Sequence, residues 1–527
     1  MKPVDSSSLG APDPTLVGDL SLLARGGVVN LVGGTIYGVL GFVVITVVTR
    51  GLAASRTGLF FEGVALFNIS TDILVLGADV GLVKFISAHR AVGTGRGPKS
   101  VLVVALTPVA SIAVVVAIAG WIMTPRLAVA LGHGGVDLHE LTSYLRVFVV
   151  AVPVSVVYTA SIAATRGFGT MVPAVLVDKI TKPALQLALV AVAVAAGLGT
   201  TALALAWTLP VALGLVAAFA SLASLIRRMD RLERSGALPP APSPVDRFWR
   251  FAAPRGFAGV FQVVVLWLDT LLLGLLRSSR EAGIYTASSR YLLVGVFVLT
   301  AVNQAVAPQI GALLAAREMG RAKTIYQSAA CWIIAATWPV YFTVVIFAPV
   351  VLRVFGSGFQ QGGPVLVILG TAAMVGAATG PVDWVLLMGG KSRWNLLNTA
   401  VALVANVGLD LLLIPRYGMI GAASAWAVSI VLNNVLPMIE VWLLMDLSPF
   451  GRGFPVVVGA SAACFGGLGL LARLLFGLSP ASLLIFLVTA SAAYVGLMIR
   501  FRAVLHMGFL VDAIIRHRAR PADTSSR

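Results

Sequence analysis

Apolar runs of about 20 residues recur from one end of this sequence to the other, each long enough to cross a hydrocarbon core of about 30 Å. In lipid a backbone must satisfy its own N–H and C=O groups, so such runs can only be helices. Of the 527 residues, 58% are hydrophobic and 11% charged, against roughly 25% charged in soluble domains. No segment between the runs is large enough to build a soluble core. The fold class is therefore all-α and polytopic.

Fourteen runs can be drawn. Six lie near residues 26–48, 57–78, 101–123, 144–164, 171–195 and 201–222. Six more lie near 256–275, 283–306, 329–351, 364–388, 396–414 and 421–445, and the last two near 454–475 and 481–498. With the N-terminus inside, 28 of the 38 Lys and Arg residues fall at cytoplasmic ends and tails. That bias predicts an even number of spans in a cytoplasmic (inner) membrane, with both termini cytoplasmic. It also accounts for the net charge of +17 through loops facing anionic headgroups, which argues against nucleic acid as a partner.

The centre of the chain shows how the runs are grouped. Residues 255–285 read RGFAGVFQVVVLWLDTLLLGLLRSSREAGIY, an Arg-Gly opening, a long apolar run holding Asp269, and a polar turn. A looser copy begins at Arg25-Gly26 and ends in RGLAASRTGLF at residues 50–60. The pairs Arg25/Arg255, Gly58/Gly283 and Trp207/Trp426 are offset by 230, 225 and 219 residues, as expected of two related halves with small insertions. Internal repeats of this kind are common in transporters whose halves rock about a central site.

The predicted division is thus a cytoplasmic tail (1–25), a six-helix lobe (26–225) and a basic, Pro-rich cytoplasmic linker (226–255). A second six-helix lobe (256–446), two further helices (447–500) and a basic tail (501–527) follow. Residues 500–520 suit either an interfacial helix or a disordered tail. Neither Cys331 nor Cys464, both in apolar runs, suggests a disulfide framework or a metal cluster.

Ionisable residues inside spans are expensive and mark function. Asp269 and Arg290 flank a turn near residue 279, so antiparallel helices put them at similar depth; they are expected to form an ion pair or to share a phosphate-binding cavity. Asp178, Lys179 and Lys182 interrupt the fifth run near its cytoplasmic mouth and are expected to face water. Asp72 lies inside the second run. Asp79, Lys84 and Arg90 mark its inner end, where topology alone explains the cations. Asp383 follows Thr379-Gly380-Pro381, a predicted break in a helix, and Asp410 is placed at an outer helix end. The loop HGGVDLHE at 133–140 matches no standard metal-ligand spacing. No Walker phosphate loop occurs, and no cofactor is called for.

Several stretches resemble the bacterial oligosaccharide-lipid flippases of polysaccharide synthesis, in the multidrug/oligosaccharidyl-lipid/polysaccharide exporter superfamily. They include LGADVGLVKFISAHR (76–90), TRGFGTMVP (165–173), VVLRVFGSGF (350–359) and, most specifically, LLLIPRYGMIGAASAW (411–426). In that last stretch Pro415 and Gly418 are expected to make a tight turn, and the small residues after it to pack helices closely. The resemblance implies fourteen helices in two lobes around a cavity. It also implies alternating-access movement of a polyprenyl-diphosphate-linked glycan to the outer leaflet, with membrane lipids, a polymerase and glycosyltransferases as partners. Cavity arginines on the first and eighth helices are implied too, at Arg25 and Arg290; arginine's planar fork suits diphosphate oxygens. The substrate-binding set read in this way is Arg25, Asp72, Lys179, Lys182, Asp269 and Arg290.

Two other readings compete. A cation-coupled multidrug exporter of the same superfamily would use Asp72 and Asp269 as coupling sites, but exporters of that type have twelve helices. A membrane glycosyltransferase or polymerase would need acidic residues in a substantial outer loop, and only the short one around Asp137 and Glu140 has any. The chain is read as no enzyme.

Overall fold

A computed structural model describes residues 14–92, 97–131, 138–234, 248–502 and 505. The 133–137 part of the histidine loop, the middle of the linker and most of both tails lie outside the described residues.

The spans form in order. The first lobe comprises α1 (Pro14–Gly51), α2 (Ala54–Val75) with its extension α3 (Ala78–Val92), α4 (Pro98–Leu131) and α5 (Leu138–Gly167). A π-turn (Ala174–Thr181) leading into α6 (Lys182–Ala195), and then α7 (Thr200–Arg234), complete it. The second comprises α8 (Phe248–Leu276), α9 (Ser279–Ser289) continued as α10 (Leu293–Ala315), and α11 (Met319–Ile346). After the short α12 (Ala348–Leu352) come α13 (Gly363–Ala378) with α14 (Val382–Met388), α15 (Ser392–Tyr417) and α16 (Met419–Met445). The last two spans are α17 (Phe454–Ser461) with α18 (Leu468–Phe476), and α19 (Pro480–Arg500). No strand occurs among the described residues. Twelve described segments are long and apolar enough to cross a membrane. The π-turn with α6, and α8, complete the fourteen-span alternation. "Linker face" below means the face where α7 ends and α8 begins; "distal face" is the opposite one.

The repeat is visible in the packing. Within the first lobe α1 packs on α6, α4 on α5, α5 on α7, and α6 on α7. Each contact has its counterpart in the second lobe: α8 on α15, α11 on α13, α13 on α16, and α15 on α16. The first core is keyed by Phe60, fully buried, whose ring meets Trp207 of α7 at 5.4 Å and Tyr144 of α5 at 5.6 Å, both edge-on. Such pairs add directional packing to area burial. The last two spans dock on α11 through a separate cluster in which Phe347 stacks on Phe486 at 5.2 Å.

The lobes meet chiefly where α2 crosses α8 and α9. Near the distal face this crossing is backbone on backbone. A side chain at Gly58 would overlap the Ser279 carbonyl, and one at Gly283 would stand 2.5 Å from the Ala54 carbonyl. Ala54 and Ser279 are themselves offset by the 225 residues that separate the two glycines. The crossing therefore lies on the pseudo-twofold axis.

Two local expectations are refined. Pro415 lies inside the last turn of α15, and Gly418 alone, with φ of 55°, turns the chain into α16. The small residues Gly421, Ala422 and Ala423 are buried, and Glu281 of α9 accepts a hydrogen bond from the Met419 amide at 2.8 Å. The tenth span does break at Thr379–Pro381, between α13 and α14.

Candidate functional site

A cavity of about 910 Å³ opens between the lobes where α1 and α10 diverge. Its walls are mainly apolar, with Phe42 and Val43 on α1, Phe297 on α10, and Phe465 and Leu487 from the last two spans. Arg290 stands on this wall and also lines a second cavity of about 200 Å³ reaching into the second lobe towards Trp426 and Asn434. A tight 3₁₀ turn at Arg290–Leu292 joins α9 to α10 and sets the direction of this side chain. The guanidinium carbon lies 4.8 Å from the centre of the Trp267 ring, a cation–π contact. Nε has no hydrogen-bond partner.

The expected Asp269–Arg290 ion pair is not formed. The hairpin turns at 277–278, between Leu276 and Ser279, not at 279, so Arg290 lies about one turn deeper than Asp269, roughly 6 Å at 1.5 Å per residue. Tyr285 falls at the matching depth. Its hydroxyl donates a short hydrogen bond to Asp269 Oδ2.

Asp269 has further neighbours that the sequence reading placed elsewhere. Asp410, expected at an outer helix end, is fully buried on α15, as is Asn406 one turn before it. Both come within hydrogen-bonding reach of Asp269. Yet both Asp410 oxygens, Asp269 Oδ1 and the Asn406 amide lack a well-formed hydrogen bond. Two carboxyl groups thus face each other in a buried site with acceptor capacity to spare. Burial of uncompensated charge is costly, so the cluster calls for a proton or a small cation. Its carboxylate and amide oxygens suit a hard ion. Sequence reasoning missed Asn406 and misplaced Asp410, although their i, i+4 spacing on one helix face was a legible signal.

The first lobe holds a different cluster. Pro183 supplies no N–H to the helix, and ahead of it the wider π-turn ends with the Lys182 amide reaching back to the Val177 carbonyl. There Lys182 Nζ pairs with Asp178 at 2.5 Å, and the Tyr158 hydroxyl donates to the same carboxylate at 2.9 Å. Asp72 on α2 lies within electrostatic reach of Lys182. Lys179 runs along α1 beside Gly33 and Gly34. Asp178 and Lys182 thus compensate each other at the linker-face end of the lobe. Asp72, Lys179 and Lys182 gather in one lobe, while Asp269 and Arg290 belong to the other. Arg25 lies on α1, but its side chain is outside the described residues.

Two pseudo-symmetric lobes, a cavity between them and buried polar clusters within them define a polytopic transport protein. The chain belongs to the family described as polysaccharide biosynthesis protein, whose model matches residues 23–314. Two relatives from Haloferax volcanii are similar in part. The probable low-salt glycan biosynthesis flippase Agl15 is 23% identical over 171 residues, 32% of this chain and 36% of Agl15. The probable flippase AglR is 25% identical over 205 residues, 37% of this chain and 42% of AglR. The aligned part is thus well under half of each relative's length.

Among solved structures, the lipid II flippase MurJ in an inward closed conformation superposes with a TM-score of 0.71 at 12% identity, covering 92% of this chain and all of MurJ. An inward-facing MATE-family transporter of the MOP superfamily gives 0.62 at 17%, covering 78% and 94%. At these identities the likeness is one of fold. It agrees with the two-lobed helical fold expected from the motifs. These relatives are named as flippases and transporters, not enzymes.

Proposed function

We propose that this protein is a flippase that carries a polyprenyl-diphosphate-linked oligosaccharide from the cytoplasmic to the outer leaflet by alternating access. The linker face would be cytoplasmic, as the basic loops favour. The observation that carries this reading is the position of Arg290. Among the described residues one permanent cation stands on the wall of a mainly apolar cavity of about 910 Å³ framed by the last two spans. That combination suits a molecule with an anionic diphosphate and a long hydrocarbon tail, because a guanidinium grips phosphate oxygens in pairs while the tail keeps apolar company. Lys179 and Lys182 would serve sugars or phosphate approaching from the linker face.

The Asp269–Asn406–Asp410 cluster favours cation coupling, and with it a second reading, the cation-coupled multidrug exporter. Both cargoes would use the cluster alike; Arg290 separates them, since a cationic drug gains nothing from it.

Purified protein in vesicles loaded with a fluorescent polyprenyl-diphosphate oligosaccharide tests the choice. Flipping that needs Arg290 supports the flippase. No flipping in a folded protein, together with efflux of cationic dyes, overturns it.

A further inference from the structure

Glu62 takes part in neither cluster and was not singled out by the sequence. It lies one helical turn beyond Gly58 on α2, at the seam between the lobes, and is 1% exposed. Among the described residues neither carboxylate oxygen has a well-formed hydrogen bond, although the Ser279 side chain of α9 comes within reach of the group. The carboxyl group occupies the space above Gly274 of α8, where any side chain would overlap it. Two hydroxyls at the same seam, Thr57 Oγ1 and Ser279 Oγ, are also buried without a well-formed hydrogen bond among the described residues.

No charged group among the described residues compensates it. On α2 itself Arg56 is bound to Glu140 of α5 at 3.0 Å. On α9 Glu281 caps Met419 and pairs with Arg277 at 3.5 Å, while Arg280 points to Gln361. Tyr285 of α9 donates to Asp269 Oδ2 of α8, and Asp269 also faces Asp410 and Asn406 of α15. Tyr144 of α5 packs on Phe60. From the more distant α1 and α4, Arg50 is held by the Val354 carbonyl and Lys99 by Asp230.

An ionised carboxylate in such a place loses its hydration and gains at most one imperfect hydroxyl contact in return. The conformation with α2 seated on α8 and α9 therefore favours a neutral Glu62. Parting the lobes on the distal side would return the group to water, where it ionises freely.

We propose that Glu62 is a proton-binding latch on the distal seam: the protonated acid lets the lobes close, and release of its proton to water on the distal side favours their parting. The Gly58–Gly283 crossing supplies the fit, and Glu62 makes that fit depend on one proton. The inference rests on the alternating lobe movement proposed above, and not on the cargo.

The test uses full-length protein in vesicles with a reporter, Thr57→Cys, at a position fully buried in the closed seam. A membrane-impermeant charged maleimide reports its exposure, normalised to Ser55→Cys on the exposed turn so that thiol ionisation cancels. Across about pH 5 to 9 the normalised rate is expected to rise by up to about tenfold per pH unit, the limit for a one-proton equilibrium. Glu62→Gln, which mimics the neutral acid, is expected to stay slow throughout. Gly274→Ala, which takes the carboxyl's place, is expected to react fast even in acid. An unchanged pH response in Glu62→Gln overturns the latch and leaves the flippase reading standing. A reporter that no condition exposes overturns the latch and the alternating movement together. Loss of glycan flipping with the pH response intact overturns the flippase reading alone.

Discussion

Gly58 and Gly283, equivalent positions of the two halves, lie against each other's helices, each facing the carbonyl of the residue four before its partner. This reciprocity places the pseudo-twofold axis between α2 and α9. A crossing made of backbone has no side chain to yield, so the lobes can close here only with glycine at both positions.

Gly58→Ala should therefore be among the most damaging conservative changes in the protein. The methyl group meets a carbonyl, and overpacking of this sort costs about 1–3 kcal/mol. Thermal unfolding in detergent should show a lower midpoint, and the closed seam should be lost even where the fold survives. A variant as stable as wild type would show that the crossing is looser than described.

Arg290 separates charge from shape. Arg290→Ala should abolish flipping of a diphosphate-linked glycan, and Arg290→Lys should restore only part of it, because an ammonium keeps the charge but not the planar fork. Since no carboxylate is bound to Arg290, neither change strands a partner, and the melting point should move little. Full activity of Arg290→Ala would remove it from the substrate path.

Asp410→Asn should uncouple transport from its driving cation. The change keeps the shape of a buried side chain while removing one of two facing carboxyls. Flipping should persist at a reduced rate but lose its dependence on sodium or pH, measured by imposing each gradient separately. A retained dependence would move the coupling site elsewhere.

The Asp178–Lys182 pair offers a stability cycle. Lys182→Met leaves a half-buried carboxylate without its cation. With side-chain exposures of 17% and 32%, the cost should be about 1–3 kcal/mol, below that of a fully buried pair. Adding Asp178→Asn should return much of that loss. Additive effects would mean that the pair contributes nothing as a pair.

Hydropathy made the spans legible, because a span depends on length and composition, which lipid reads directly; the internal repeat was legible in matched residues at similar offsets. The break at Thr379–Pro381 and the turn at Gly418 could be read too, since glycine and proline punctuate locally. The partners of the membrane charges could not. Depth along a helix follows from counting residues, and there a turn misplaced by a residue or two was enough to pair Asp269 with Arg290 instead of Tyr285.

The direction in which a residue faces around its helix is a different matter. In a run apolar all round, no stripe says which side meets a neighbour. Glu62 in FFEGVALF and Asp410 in VGLDLLL thus look alike in sequence, each a lone acid among apolar residues. Packing put one at the seam between the lobes without a well-formed hydrogen bond among the described residues and the other against Asp269 inside a lobe. The sequence by itself determined that the chain is a bundle of membrane-crossing helices and that its halves are related. Only the assembly of the helices decided which charges meet, because burial and partnership are properties of neighbouring surfaces and not of any one run.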